Sequence, residues 1–564
     1  MDEVKEVLSK LDFSDATDRE VTLLNIVNKL LVIVEAQAEE IKNLKSEIRK
    51  LKGGNDDPDI KGKSEATKNL NRNKNSNKPK PITWKKESKN NDLEINQEIP
   101  LAIDKSKLPS DAVYKGTREK IVQGLIFKRD NVKLIIERYY SPSENKYYES
   151  EIPVNYEDQF SKELQAFIIM CSIKNNMGHD KIIELLETIG IRISTGQVEA
   201  ILNKKNQDFH QEMEQAFMTA IDLVGFMHSD DTGARHEGSN YFTSVFCNFL
   251  CTMFKTTPKK NKLTVIQNLV GKDKVKFLIN KGTIKYIKDY KIGAVYQDLL
   301  KTLIGQEFDT EHELEQALKM KYPKIPEQKL TQIKIGAVYA SIKKQGIILI
   351  NALMTDAAGQ FRSVTLIHAL CWVHEIRHYT DLNPMVSGFQ KILEDFTDKV
   401  RAFYGRLKLY KENPDKEQIK IIQHEFETLF STVTKYEDLN KVIAQTKKRQ
   451  EGLLVVLENP DLPLHNNHAE QQIRPYVIKR KIQFGTRSEQ GLKSRDTFMS
   501  ISMTCKKLNI SFYKFLVDRK TAARKILPLA EIMKLKVAAW KYLNLDNNPQ
   551  VIELLHQITH PKEW

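Results

Sequence analysis

Three acidic residues, far apart along the chain, sit in settings that leave few folds open. LVGFMHSDDTGAR is an apolar, β-like run ending in Asp230 and Asp231. GIILINALMTDAAGQF is a second such run, ending in Asp356. PLHNNHAEQQIRP opens a helix with Glu470 in its first turn. Side chains alternate along a strand, so only one of Asp230 and Asp231 faces a shared site, and Asp230 is the choice. Carboxylates brought to one point repel unless cations neutralise them. Mg²⁺ takes oxygen ligands and keeps water and phosphate oxygens in the rest of its shell. Two such ions about 4 Å apart can activate an attacking oxygen and stabilise a leaving one at a phosphodiester. Each acid also has an ordinary structural reading: Asp230 in a strand-end turn, Asp356 as a helix N-cap, Glu470 closing a capping box with Asn467.

Strand, strand, helix, each bearing one acid in that order, is the outline of an RNase H-like α/β core. Cations follow the third acid closely: Arg474, Lys479, Arg480, Lys481 and Arg487, then Lys493 and Arg495. Beside a carboxylate site they would hold a DNA backbone, although Arg474 at i+4 from Glu470 also suits a plain helix ion pair. Pro475 is expected to end or kink the Glu470 helix.

Lys and Arg exceed Asp and Glu by 88 − 74 = 14 in 564 residues, which favours a polyanionic partner such as nucleic acid. Five cysteines in this length make no disulfide framework and fit a reducing cytosol, so a cytoplasmic protein is expected. MDEVKEVLSKLDF is too polar for a secretory signal. No continuous apolar run approaches the ~20 residues that span a bilayer, and no membrane partner is expected.

The expected organisation has eight parts. Residues 1–52 form a coiled coil, with Leu23, Val27, Leu30, Val34, Gln37, Ile41, Leu44, Ile48 and Leu51 at alternating spacings of four and three. A homodimer or higher homo-oligomer follows from that pattern. Residues 53–99 form a basic flexible linker: between Lys61 and Asn90 there are ten Lys/Arg and two Asp/Glu, too little apolar surface to fold alone. Residues 100–157 read as a small β-rich domain. Residues 158–215 read as helix-turn-helix-like, with Gly190 stopping one helix and Ser194 with Gln197 capping the next. The catalytic core spans 216–375, with a mostly helical insertion at 258–345 and its second strand at 347–353. A helical insertion covers 376–462, the core is completed over 463–506, and 507–564 is a helical tail.

HALCWVHEIRHY places His368, Cys371, His374 and His378 on roughly one face if it forms one helix. Tetrahedral zinc takes such ligands, but a single helix rarely supplies four, and zinc is not expected. Packing and DNA contact by His374, Arg377 and Trp372 is the preferred reading. Cys247 and Cys251 read as core.

HSDDTG, TDAAGQF, HALCWVHEIRHY, PLHNNHAEQQIRPYVIKRKIQFGTRSEQG and SRDTFMSISMTCKKL together resemble the bacterial transposases of the insertion sequence 66 family. The resemblance covers roughly 158–520 and the N-terminal coiled coil. It implies that Asp230, Asp356 and Glu470 are a DDE triad on an RNase H-like fold. It also implies dependence on Mg²⁺, with Mn²⁺ as a substitute, and cut-and-join transposition of a mobile element. The implied partners are double-stranded DNA, as terminal inverted repeats and target, and small accessory proteins. Two departures stand out: residues 100–155 contain no cysteine where the family carries a zinc-binding motif, and the family's D-E-T is D-D-T here. The rival readings are a non-catalytic DNA-binding descendant and a coiled-coil scaffold.

Overall fold

The structure, a computed structural model, describes residues 17–51 and 95–543, except 104–108, 110, 114–116, 126–127, 272–273, 348–349, 363 and 366. The basic linker as far as residue 94 and the tail beyond 543 lie outside the described residues. The chain divides into two units, one of Met1–Ile33 with Lys133–Trp564 and one of Val34–Val132. The second holds the later part of helix α1 (Asp18–Leu51) and, where described, irregular, exposed chain. Everything below concerns the first.

Over 133–157 the chain forms one exposed hairpin, β1 (Arg138–Ser141) with β2 (Lys146–Glu149). Three helices follow: α2 (Lys162–Ile173), α3 (His179–Thr188) and α4 (Thr195–Asn203). Ser194 Oγ accepts from Gln197 N at 3.3 Å and Gln197 Oε1 accepts from Ser194 N at 2.9 Å, so the capping box read from sequence forms. Ile182, Leu186, Val198 and Leu202 seat these helices on the main core.

Helix α5 (Gln207–Val224) ends at Gly225, whose φ of 64° lets the chain reverse at once into β3 (Phe226–His236). The aromatic and β-branched run after Asp230 supplies two strands, β4 (Ser239–Cys247) and β5 (Thr252–Thr257). These three are antiparallel neighbours. The lysine-rich insertion folds as α6 (Lys262–Val270), α7 (Lys281–Asp289), α8 (Ala294–Lys301), α9 (Glu311–Lys321) and α10 (Glu327–Gln345), with the short pair β6 (Phe277–Leu278) and β7 (Glu307–Phe308). Then β8 (Ala352–Thr355) and β9 (Ile367–Leu370) extend the sheet in parallel, giving the order β5-β4-β3-β8-β9. All four residues of β8 are buried, as a parallel strand covered on both faces requires.

HALCWVHEIRHY is not one helix. His368 lies on β9, Cys371 is the N-cap, and α11 begins at Trp372 (Trp372–Thr380). Pairing of Leu353 with His368 and of Thr355 with Leu370 draws the first residues into the sheet, so the four His/Cys side chains do not share a helix face. Helices α12 (Ser387–Glu412), α13 (Lys416–Leu429), α14 (Glu437–Lys448) and α15 (Gln450–Leu453) build a second core with α11. Trp372 is at its centre, fully buried against Phe403, Phe426 and Phe430, and its Nε1 donates to Leu453 O at 2.8 Å. It packs; it reaches no DNA. The first turns of α1 dock here through Leu24, Val27 and Leu31. Asn25 donates to Lys435 O at 3.0 Å, and Asn28 accepts from Met385 N at 2.7 Å. Leu23, Ile26, Leu30 and Ile33 on the same helix are exposed. Arg19–Ile41 is long and apolar enough by composition to cross a membrane, contrary to the expectation from continuous runs, but its buried asparagines bind it to the protein's own helices.

Helix α16 (Asn467–Gln483) contains Pro475 without ending there. Pro475 removes one N–H, but Ala469, Ile473, Tyr476 and Lys479 are buried on either side of it and hold the helix through that point. Gly485 then passes so close to β3 that a Cβ would lie 2.6 Å from Arg235 O, and Thr486 N donates to that carbonyl. Helix α17 (Glu489–Leu508) covers β5, with Asp496 accepting from Thr256 N at 2.7 Å and Ser500 from Phe254 N at 2.9 Å. Helices α18 (Phe512–Lys520) and α19 (Leu529–Leu543) complete the core.

Candidate active site

The three acids are brought to one end of the sheet by register. β3 pairs with β8 in parallel as Phe226↔Ala352, Met227↔Leu353 and His228↔Met354. Two residues further on, Asp230 stands level with Asp356 on adjoining strands, whose spacing is about 4.8 Å. Glu470 comes from the first turn of α16, which packs across β3. Its helix is capped by Asn466 with no side-chain cap bond, so Glu470 closes no capping box with Asn467.

Burial, and then the charges of Asp356, Asp231 and Glu470, push the Asp230 carboxyl up to about 7, while the Asp231 N–H bonded to Asp230 Oδ1 at 2.8 Å opposes them. Asp356 Oδ1 accepts from Ala358 N at 3.1 Å, so it orders the turn that follows β8. Asp231 is otherwise engaged: Lys260 Nζ lies 3.0 Å from Oδ1, and Gln360 Nε2 donates to Oδ2 at 2.5 Å. That last bond ties β3 to the turn after Asp356.

Helix α11 presents two groups to Glu470. Arg377 Nη2 donates to Oε2 at 3.4 Å, and His374 Nδ1 lies 3.6 Å from Oε1. Arg377 Nη1 donates to His374 Nε2 at 3.2 Å, which leaves the imidazole proton on Nδ1, towards the carboxylate. Neither Glu470 Oε1 nor His374 Nδ1 has a hydrogen-bond partner, though both are buried. The helix is fixed from behind by Glu375, 2 % exposed, which accepts from Arg449 at 2.9 Å and Thr446 at 2.6 Å.

Three carboxylates, one held near neutrality by the other charges and one with a buried oxygen unsatisfied, are a hard-oxygen donor set that suits Mg²⁺ or Mn²⁺. Among the described residues, no three His, Cys, Asp or Glu side chains are already closed to metal-holding geometry. That is what uncompensated like charges produce. His368 donates to or accepts from Thr355 Oγ1 at 2.8 Å and is buried, so the histidines of its block are divided among separate tasks.

The cations after Glu470 divide as well. Arg474, Lys481 and Arg487 are exposed. Arg480 reaches β3, donating from Nη1 to Thr232 Oγ1 at 3.1 Å. Lys479 is 2 % exposed and its Nζ donates to Ser172 O at 2.6 Å. It fastens α16 to α2 and faces no DNA, against the expectation. Spacing alone hid this, because burial at 479 follows from the same helix face as Ile473 and Tyr476. Away from the acids, a hollow of about 350 Å³ between the end of α4 and the start of α17 is lined by Lys204, Lys205, His210 and Lys493. Sequence reading missed Asp231, Lys260, Gln360 and Asn466 as parts of the site; the adjacency of Asp231 and Asn466 to named acids was the signal at hand.

A family profile described as "Transposase IS66 family" matches residues 340–494, which include Asp356 and Glu470. An uncharacterised protein, y4jO, from Sinorhizobium fredii (strain NBRC 101917 / NGR234) is 33 % identical over 309 residues, covering 54 % of this chain and 95 % of the relative. With those matches on the acid-bearing blocks, the chain belongs to the IS66 family of transposases.

Proposed function

We propose that this chain cleaves and joins double-stranded DNA as a metal-dependent transposase, with an RNase H-like core carrying Asp230, Asp356 and Glu470 as its catalytic triad. The observation that carries the reading is the register that sets Asp230 level with Asp356, with the charge of Glu470 felt at the same carboxyl. The strand order β5-β4-β3-β8-β9, three antiparallel strands followed by two parallel ones, supports the core assignment. Asp230, Asp356 and Glu470 would hold Mg²⁺ or Mn²⁺, and the bound ions would supply charge stabilisation at the attacking and leaving oxygens of a phosphodiester. Arg377 and Arg480 at the rim and exposed Arg474, Lys481 and Arg487 would hold the backbone phosphates. Helices α3 and α4 with the lysine-lined hollow would contact element ends. The exposed row Leu23, Leu30, Val34 and Ile41 on α1 would pair protomers so that two ends are held together.

The test is cleavage of a supercoiled plasmid carrying the element's ends, with and without Mg²⁺, by wild type, Asp356→Ala and Glu470→Ala. Mg²⁺-dependent nicking by wild type alone is expected. Equal nicking by all three would remove the triad from the chemistry, and bound but uncut DNA in every case would favour a non-catalytic descendant.

A further inference from the structure

Each acid is preceded by a residue whose backbone is held, directly or through one intermediate, by a single side chain. Asn466 is 1 % exposed and lies one turn before Glu470, whose N–H donates to Asn466 O at 3.2 Å. Asn466 Nδ2 donates to Ser229 O at 2.8 Å, the carbonyl just before Asp230. Asn466 Oδ1 meets His228 Nδ1 at 3.0 Å. An amide oxygen only accepts, so His228 donates. Asn466 N donates to Cys371 Sγ at 3.1 Å, and Cys371 N donates to Thr355 O at 3.0 Å, the carbonyl just before Asp356. An N-cap asparagine ordinarily turns its side chain onto its own helix. This one makes no such bond and gives its amide to the strand instead.

We infer that Asn466 is the positioning residue that sets the Glu470 helix in register with the Asp230 strand and, through Cys371, with the Asp356 strand. It touches no reacting atom; it fixes where the three carboxylates point relative to one another. A metal site depends on such supporting bonds, because a ligand displaced by a fraction of an ångström loses its share of the ion. The inference rests on the proposed function, since it is the shared metal that makes the register matter.

The experiment compares wild type, Asn466→Ala, Cys371→Ala and Asp356→Ala by three readouts: Mn²⁺ binding to the DNA-free protein by electron paramagnetic resonance, the Mg²⁺ concentration giving half-maximal plasmid cleavage, and Kd for the same DNA without metal. For Asn466→Ala, Mn²⁺ affinity should fall and half-maximal Mg²⁺ rise by about 10- to 100-fold, with Kd for DNA within about twofold. Cys371→Ala, which removes only a weak acceptor, should shift both metal readouts the same way by less, and it decides the matter should Asn466→Ala not fold. Unchanged metal readouts in a folded Asn466→Ala or in Cys371→Ala, beside a wild type whose Mn²⁺ binding is lost in Asp356→Ala, would overturn the inference alone. Mn²⁺ binding by wild type that Asp356→Ala retains would overturn the proposed function and the inference with it.

Discussion

Arg377 Nη2 donates to Glu470 Oε2 at 3.4 Å, from a helix that belongs to the second, all-helical core. The acid from one end of the sheet is therefore held by a cation that the inserted helices deliver. Both side chains are part exposed, 48 % for Arg377 and 30 % for Glu470, and pairs of that kind are worth about 0–1 kcal/mol. A pair so weak yields to a divalent cation or to a phosphate. Arg377→Ala is expected to lower the half-maximal Mg²⁺ for cleavage by up to about fivefold, because one competitor for Glu470 is gone. The same substitution should weaken DNA binding, because one rim cation is gone. A metal titration of cleavage together with a metal-free DNA titration checks both signs.

The buried and exposed lysines of α16 should separate cleanly in salt dependence. Lys481 and Arg487 are exposed, whereas the ammonium of Lys479 is spent on Ser172 O. Each phosphate contact adds about 0.9 to the slope of log K against log salt. Lys481→Ala and Arg487→Ala are each expected to reduce the slope by about one, and Lys479→Met to leave it unchanged. Anisotropy titrations of one DNA duplex at several salt concentrations measure this directly.

What could be read ahead of the structure follows the range of the signal. Helices α2, α3 and α4 and the Ser194–Gln197 capping box were legible because they depend on residues three and four apart. So were the apolar runs that end at Asp230 and Asp356. The parallel pairing of β8 with β9 was not, because it joins segments that local periodicity treats separately. Reading HALCWVHEIRHY as a helix failed for that reason: His368 through Leu370 satisfy a ladder with residues 353–355. Pro475 misled in the same way, since a local rule about a missing N–H lost to burial of Ile473 and Tyr476 around it. The roles of Asn466 and Gln360 lay beyond sequence altogether. An asparagine before a helix reads as a cap, and only the approach of β3 shows that its amide goes to Ser229 O.

Asp230 makes stability and metal binding pull against each other, with a definite pH sign. Its carboxyl is raised from an ordinary value of 3.8 to about 7, first by burial and then by the neighbouring acids. The folded state therefore holds this proton more tightly than the unfolded chain does. The stability it contributes is fully present below about pH 4 and is lost as pH rises from there through 7. Three pH units correspond to about 4 kcal/mol at most. Asp230→Asn, which keeps the shape without the charge, should accordingly melt higher than wild type at pH 8 without divalent ions and converge with it near pH 4. Mg²⁺ should raise the melting temperature of wild type at pH 8, where the carboxylates are ionised, and leave that of Asp230→Asn nearly unmoved. Thermal melts at the two pH values, with and without Mg²⁺, check all four expectations. A higher-melting Asp230→Asn that no longer cleaves DNA would mark the acid as one the fold carries at a cost to its own stability, for the sake of what it binds.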